Sequence, residues 1–189
     1  IYSYTDALML SGETASGKYP LEAVQTMAAI AEQAEKDRNA MGEWEVPMNA
    51  NCSQREFLAH AAIDATRQLG VAGIITDSLT GETVRHLAAF RGPNPVLAIC
   101  YKEKTQRWLN LSYGVIPIHQ KEQASAEYMF IAALRMLRQK GYITLDDKIA
   151  YLSGSFGLGN PTGTTFLEIN KVSQVFDKSY EFHLPQKEQ

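Results

Sequence analysis

Hydrophobic and polar positions along this chain fall into alternating blocks of two kinds. Leu58, Ala62, Ala65 and Leu69 recur at helical spacing after Ser53, and Gly70 follows the last of them. An apolar stripe opened by a serine and stopped by a glycine predicts a helix over 53–69. Val71-Ala72-Gly73-Ile74-Ile75-Thr76 is then a short apolar run without alternation, as in a strand buried on both faces. The same reading gives a helix over 81–90, ended by Gly92-Pro93-Asn94-Pro95, a strand over 95–100 and a helix near 104–111. A third strand covers 115–119, and its internal Pro117 places it at a sheet edge, where a missing N–H donor is tolerated. A long helix over 124–140 stops at Gly141, a fourth strand covers 148–152, and apolar and polar residues alternate over 165–172 as in a strand with one exposed face. No helix separates the last two strands, so they are expected to be antiparallel neighbours. The pattern specifies a three-layer α/β/α sandwich with a mostly parallel five-stranded sheet whose last strand is antiparallel.

The first 52 positions read differently. Asp6-Ala7-Leu8-Met9-Leu10 has the pattern of a short buried strand, yet no partner precedes it, and Ser11-Gly12-Glu13-Thr14 resembles a ligand loop. Pro20 opens a helix over 21–38, and periodicity is lost over 41–52, where Gly42, Pro47, Asn49 and Asn51 suggest a linker. The expected organisation is an N-terminal segment 1–40, a linker 41–52, an α/β domain 53–175 and a polar tail 176–189 with no assignable element.

Composition narrows the class without deciding it. The 189 residues can hold one domain with a full core. The 18 basic and 21 acidic side chains give a net charge of −3, which argues against nucleic acid or an anionic membrane as partner. No apolar run approaches the ~18 residues of a membrane span. Two isolated cysteines, Cys52 and Cys100, fit a reduced cytoplasm better than a disulfide framework or a zinc site.

Open parallel sheets bind ligands beyond the carboxyl ends of their strands, and two loops lie there. Asp77-Ser78-Leu79-Thr80-Gly81-Glu82-Thr83 joins a strand to a helix start. Ser78, Thr80 and Thr83 with Gly81 form either a phosphate cradle or a simple helix cap made by Thr80 or Ser78. The second loop, 153–164, carries Ser153, Gly154, Gly157 and Gly163; its glycines lack the dinucleotide fingerprint, and a strand follows it. It is either a long turn between antiparallel strands or a flap over a ligand held by the first loop. His60, His86, His119 and His183 are scattered, Glu43 and Glu45 have no metal-ligand spacing, and Trp108 reads as core. No complete active site is legible.

Thr5-Asp6-Ala7-Leu8-Met9-Leu10-Ser11-Gly12-Glu13-Thr14-Ala15, with Gly17-Lys18-Tyr19-Pro20 and Glu22-Ala23-Val24, closely resembles pyruvate kinase. Gly73-Ile74-Ile75, Thr80-Gly81-Glu82-Thr83, Tyr113-Gly114-Val115-Ile116-Pro117 and Gly163-Thr164-Thr165 extend the resemblance to about Val172. It implies that the opening segment is the last strand, loop and helix of a catalytic (β/α)8 barrel, most of which is missing here, and that the remainder is the family's C-terminal regulatory and tetramer-forming domain. The family transfers phosphate from phosphoenolpyruvate to ADP with Mg²⁺ and K⁺. Its metal-binding carboxylates, lysine and phosphate-holding arginine lie earlier in the family's sequence, so only Ser11, Gly12, Glu13 and Thr14 resemble the rim of that site. The implied partners are the barrel, further copies in a tetramer, and a phosphorylated effector at the loops matching 78–83 and 153–164.

The chain departs from the family with Tyr4 where Gly is usual, and with Leu79 and Glu82 where a basic residue often accompanies the hydroxyl loop. Asp77 and Glu82 would each oppose a doubly charged phosphate by roughly 1 kcal/mol, which disfavours a sugar bisphosphate. Besides a regulatory and assembly domain of pyruvate kinase, the sequence allows a free-standing phosphometabolite-binding module and a purely structural assembly domain.

Overall fold

The computed structural model describes residues 1–41, 46–121, 126–154 and 166–181. Five strands, β1 (Gly73–Ser78), β2 (Val96–Cys100), β3 (Val115–His119), β4 (Lys148–Ser153) and β5 (Phe166–Lys171), form one sheet in the order β3-β2-β1-β4-β5. β1 pairs in parallel with β2 and β4, β2 with β3 likewise, and β4 with β5 antiparallel. The expected architecture is therefore present, with Pro117 on the edge strand β3.

Seven helices accompany the sheet among the described residues: α1 (Gly12–Ala15), α2 (Pro20–Met41), α3 (Gln54–Gln68), α4 (Glu82–Ala89), α5 (Glu103–Leu109), α6 (Ala126–Gln139) and α7 (Val172–Glu181). Successive strand residues point to opposite faces, and both faces here are apolar. Ile74, Val96, Ala98, Cys100, Ala150 and Leu152 pack with Ala59, Ile63, Val84, Leu87 and Leu109 from α3, α4 and α5. Ile75, Leu97, Ile99, Ile149 and Tyr151 pack with Leu134 and Leu137 of α6 and Val172 of α7. Cys100 is wholly buried, and burial pushes its thiol up to about 11.

Two close approaches shape the first of these layers. Ser53 and Glu56 form a reciprocal capping box at the start of α3, with the Ser53 N–H donating to Glu56 at 2.7 Å and the Glu56 N–H to Ser53 at 3.2 Å. Gly92 lies against Ile63, where a Cβ would sit 2.6 Å from Ile63 Cδ1, so any side chain in the turn before β2 would displace the end of Ile63.

The ends of the chain depart from the sequence reading. Residues 6–10 form no strand, and Leu8 and Met9 are exposed, Met9 by 85%. An isolated apolar segment has no neighbour whose backbone could complete a ladder, so its pattern cannot be realised as a strand. Ser11-Gly12-Glu13-Thr14 is not an open loop but enters the single helical turn α1, with Glu13 accepting from the Ser11 N–H at 2.9 Å. α2 continues to Met41, three residues past the expected end, and leaves Leu21, Val24 and Ile30 exposed. The fifth strand ends at Lys171; Val172 is fully buried and begins α7, although the sequence after Val175 suggested no element. Trp108, read as core, is 55% exposed with the Arg85 guanidinium 4.8 Å from its ring centroid.

Nor is the opening segment unattached. Arg91, buried after α4, donates to Asp6 at 2.8 Å and to the Tyr4 carbonyl, and the Tyr113 N–H donates to Asp6 at 3.1 Å. Arg38, the buried residue of α2, donates to the Tyr113 hydroxyl, and both Arg38 and Arg91 lie on the Tyr113 ring at 4.9 and 4.8 Å. Two guanidiniums on one aromatic ring thus tie the segment and α2 to the α/β domain.

Ser53→Ala removes the hydroxyl half of the capping box and leaves the backbone N–H bond to Glu56. It is expected to lower the free energy of unfolding by ~1 kcal/mol, read as a lower urea midpoint at unchanged slope.

Candidate functional site

The carboxyl ends of β1 and β4 lie side by side, because Thr76 is in register with Leu152. The next residues along these strands, Asp77 and Ser153, meet: the Ser153 hydroxyl donates to the Asp77 carboxylate. By strand alternation both project toward the α6 and α7 layer with Ile75 and Tyr151. Burial raises the Asp77 carboxyl above its ordinary range, and the Ser153 hydrogen bond offsets part of that rise. Burial, then the charge of Asp77, pushes the Tyr151 phenol upward, while its ring stacks on Phe130 at 3.9 Å between centroids.

Ser78 projects to the opposite face. Its Oγ accepts from the Gly81 N–H at 2.8 Å, closing the turn that carries the chain into α4. Gly81 has φ +84°, and a Cβ there would lie 3.1 Å from Leu109 Cδ2, so conformation and space both select glycine. The Thr105 hydroxyl donates to the Leu79 carbonyl at 2.9 Å, fixing the same turn to α5. Thr80 is exposed and Thr83 half-buried at the α4 N-terminus, where the first N–H groups have no intrahelical acceptor.

The sheet therefore divides the sequence-derived set. Asp77 and Ser153 lie on one side of its carboxyl edge, and Ser78, Gly81 and Thr83 on the other; Gly154 follows β4 and is half-buried. Ser78 is engaged in the turn through its Oγ, but Gly81 is the N-cap of α4, and neither Ser78 nor Thr80 caps that helix as the sequence alternative expects. Gly157 and Gly163 fall outside the described residues. Ser11, Gly12, Glu13 and Thr14 stand at α1, a separate part of the molecule in sequence and structure.

One basic residue at this edge was missed by sequence reasoning. Arg55, in the first turn of α3, forms an ion pair with Glu82. Its side chain is 20% exposed against 50% for Glu82. The carboxylate that would oppose an anion at α4 is thus matched by a guanidinium from another helix, 27 positions upstream. A lone arginine in a helix start gives no local signal of such a pairing. Beside it, Glu56 is held below the ordinary carboxylate range by its bonds to Ser53 and lies 3.9 Å from His86.

Among the described residues, the side of this edge at the start of α4 presents backbone N–H groups, threonine hydroxyls and Arg55 to an anion, and the Ser153–Asp77 hydroxyl–carboxylate pair lies on the opposite side. No group of three His, Cys, Asp or Glu side chains among the described residues is arranged for a metal ion. Nor is any helix among them long and apolar enough to cross a membrane.

Residues 56–169 match the family model described as "Pyruvate kinase, alpha/beta domain", which is more than half of the chain. The chain belongs to the pyruvate kinase family. A pyruvate kinase of Borreliella burgdorferi is 37% identical over 177 residues, 93% of this chain and 37% of the relative. Those of Clostridium acetobutylicum and Thermococcus litoralis are 34% and 30% identical, covering 87% and 89% of this chain and in each case 35% of the relative. The chain thus spans about a third of the length of these pyruvate kinases, and the alignment extends well beyond the α/β domain itself.

The Asp77 environment has a consequence for pH. At about pH 3 and below, the carboxyl is largely protonated in both folded and unfolded chains; as pH rises through the unfolded value toward the raised folded one, folding must bury a carboxylate and stability falls. Asp77→Asn should therefore gain on the parent chain with rising pH. The difference in urea midpoint between the two is expected to be larger at pH 7 than at about pH 4; an equal difference at both would assign Asp77 an unshifted carboxyl.

Proposed function

We propose that this chain is the regulatory and assembly domain of a pyruvate kinase. The parent enzyme transfers phosphate from phosphoenolpyruvate to ADP, with Mg²⁺ and K⁺ bound by residues outside this chain. The observation that carries the reading is the 177-residue match to a protein named pyruvate kinase, of which this chain spans 37%. That match combines with the fit of residues 56–169 to the family's alpha/beta domain. Phosphoryl transfer needs donor, acceptor and metal held in one geometry. The four residues that resemble an active-site rim, Ser11 to Thr14, cannot supply it.

The effector is a phosphorylated metabolite seated at the start of α4. The groups available to it there are the N–H groups of the first turn, the Thr80 and Thr83 hydroxyls and Arg55. The Arg55–Glu82 pair removes part of the repulsion that Glu82 alone would exert. Asp77 lies on the other face of the sheet. Assembly into a homotetramer belongs to the same reading.

Two measurements test it. In a coupled assay with phosphoenolpyruvate, ADP, Mg²⁺ and K⁺ the isolated chain is expected to turn over at background rate. Activity that follows the intact chain through successive columns would show that it holds a complete site. In calorimetric titrations with ribose 5-phosphate, AMP and fructose 1,6-bisphosphate, Thr80→Val is expected to weaken binding and Glu82→Lys to tighten it. Each should move the affinity by about three- to tenfold, the range of a single hydrogen bond or a partly exposed charge. Binding that neither substitution changes would place the site elsewhere. If no compound binds either protein, the loop is a helix cap and the domain is purely structural.

A further inference from the structure

A cavity of about 420 Å³ opens at the far end of α4 from the anion site, lined among others by Asp6, Pro47, Arg85, Ala89, Arg91 and Ser112. Its size falls within the range of small-molecule sites. The side chains around it have unused hydrogen-bonding capacity. Arg91 is nine-tenths buried, with two of its nitrogens on Asp6 and the Tyr4 carbonyl, yet its Nε is buried with no partner among the described residues. A buried guanidinium N–H without an acceptor is costly unless something supplies one. The Arg85 guanidinium lies over the Trp108 ring, a contact that uses none of its N–H groups, and among the described residues no hydrogen bond or ion pair occupies them.

The lining is charged in one direction. Arg85 and Arg91 oppose Asp6, leaving one net positive charge. The Asp6 carboxylate is already engaged with Arg91 and the Tyr113 N–H. The remaining walls are apolar at Pro47 and Ala89, and the Ser112 hydroxyl adds a donor but no second positive charge. The carboxyl end of α4 opposes an anion here, but by less than one charge-assisted hydrogen bond contributes.

We propose that this cavity binds a small organic monocarboxylate with an apolar body, its carboxylate held by Arg85 and Arg91 and its body against Pro47 and Ala89. A single negative charge neutralises the lining, and a planar carboxylate matches the fork of donors that a guanidinium presents. This site is separate from the phosphate site at the start of α4 and does not depend on it.

Benzoate serves as probe, with benzyl alcohol as its neutral counterpart and phenyl phosphate as a dianion of similar shape. Each is titrated calorimetrically into the intact chain, and Trp108 emission is followed in a Trp44→Phe background. Benzoate is expected to bind and to change that emission as it draws on the Arg85 guanidinium, whereas benzyl alcohol leaves it unaltered. Arg85→Gln should weaken benzoate at least about tenfold, and Ala89→Phe, which fills the cavity from an exposed helix position, should abolish binding with the melting temperature retained. Failure of benzoate to bind the unsubstituted chain, or equal binding by both variants, would overturn the proposal. Tighter binding of phenyl phosphate than of benzoate would overturn the choice of a monocarboxylate. None of these outcomes bears on Thr80 or Glu82, so the two sites stand or fall separately.

Discussion

The covering of β1 on both faces is the constraint from which the remaining architecture follows. Ile74 and Ile75 are neighbours in sequence, point to opposite sides and are both wholly buried. Each fully buried aliphatic side chain contributes about 1.5–3 kcal/mol, but only if a layer exists on its side. α3 and α4 supply one layer, α6 and α7 the other. Parallel partners on both edges of β1 then require crossovers that carry the helices to those faces. A polar residue at either isoleucine would leave one layer with nothing central to pack on.

Most of this was legible because the buried strands carry continuous apolar runs and the helices carry stripes, caps and stops. The parallel centre, the Pro117 edge and the antiparallel fifth strand all followed from those patterns and from the missing crossover helix. What failed was local inference where partners decide the outcome. Residues 6–10 have the composition of a strand, but a strand is a pairing, and none is available. Val172 continues an alternation that suits a strand, yet it is buried as the first residue of a helix against α6. Trp108 is large and apolar, and Arg85 covers it without enclosing it.

The candidate site was legible in part. The loops at the carboxyl edge follow from topology, and the Ser78–Gly81 turn from residue types. Alternation separates Asp77 and Ser153 from the start of α4, a division that a linear reading of one loop conceals. Arg55 lies beyond any local pattern because its role is set by the packing of α3 beside α4. The Arg38–Tyr113–Arg91–Asp6 cluster was equally hidden, as its members come from four segments brought together only by the finished fold. It gives the opening segment a polar anchor where its apolar residues find none.

The burial of Cys100 at the end of β2 has a consequence for how this molecule can be observed. With its thiol at about 11, only about one molecule in ten thousand carries a thiolate there at neutral pH, and that sulfur is shielded by the sheet. Cys52 is half-buried and outside the strands. Alkylation at Cys100 must therefore wait for β2 to leave its neighbours, so its slow modification is a clock for the opening of the central sheet, built into the native sequence.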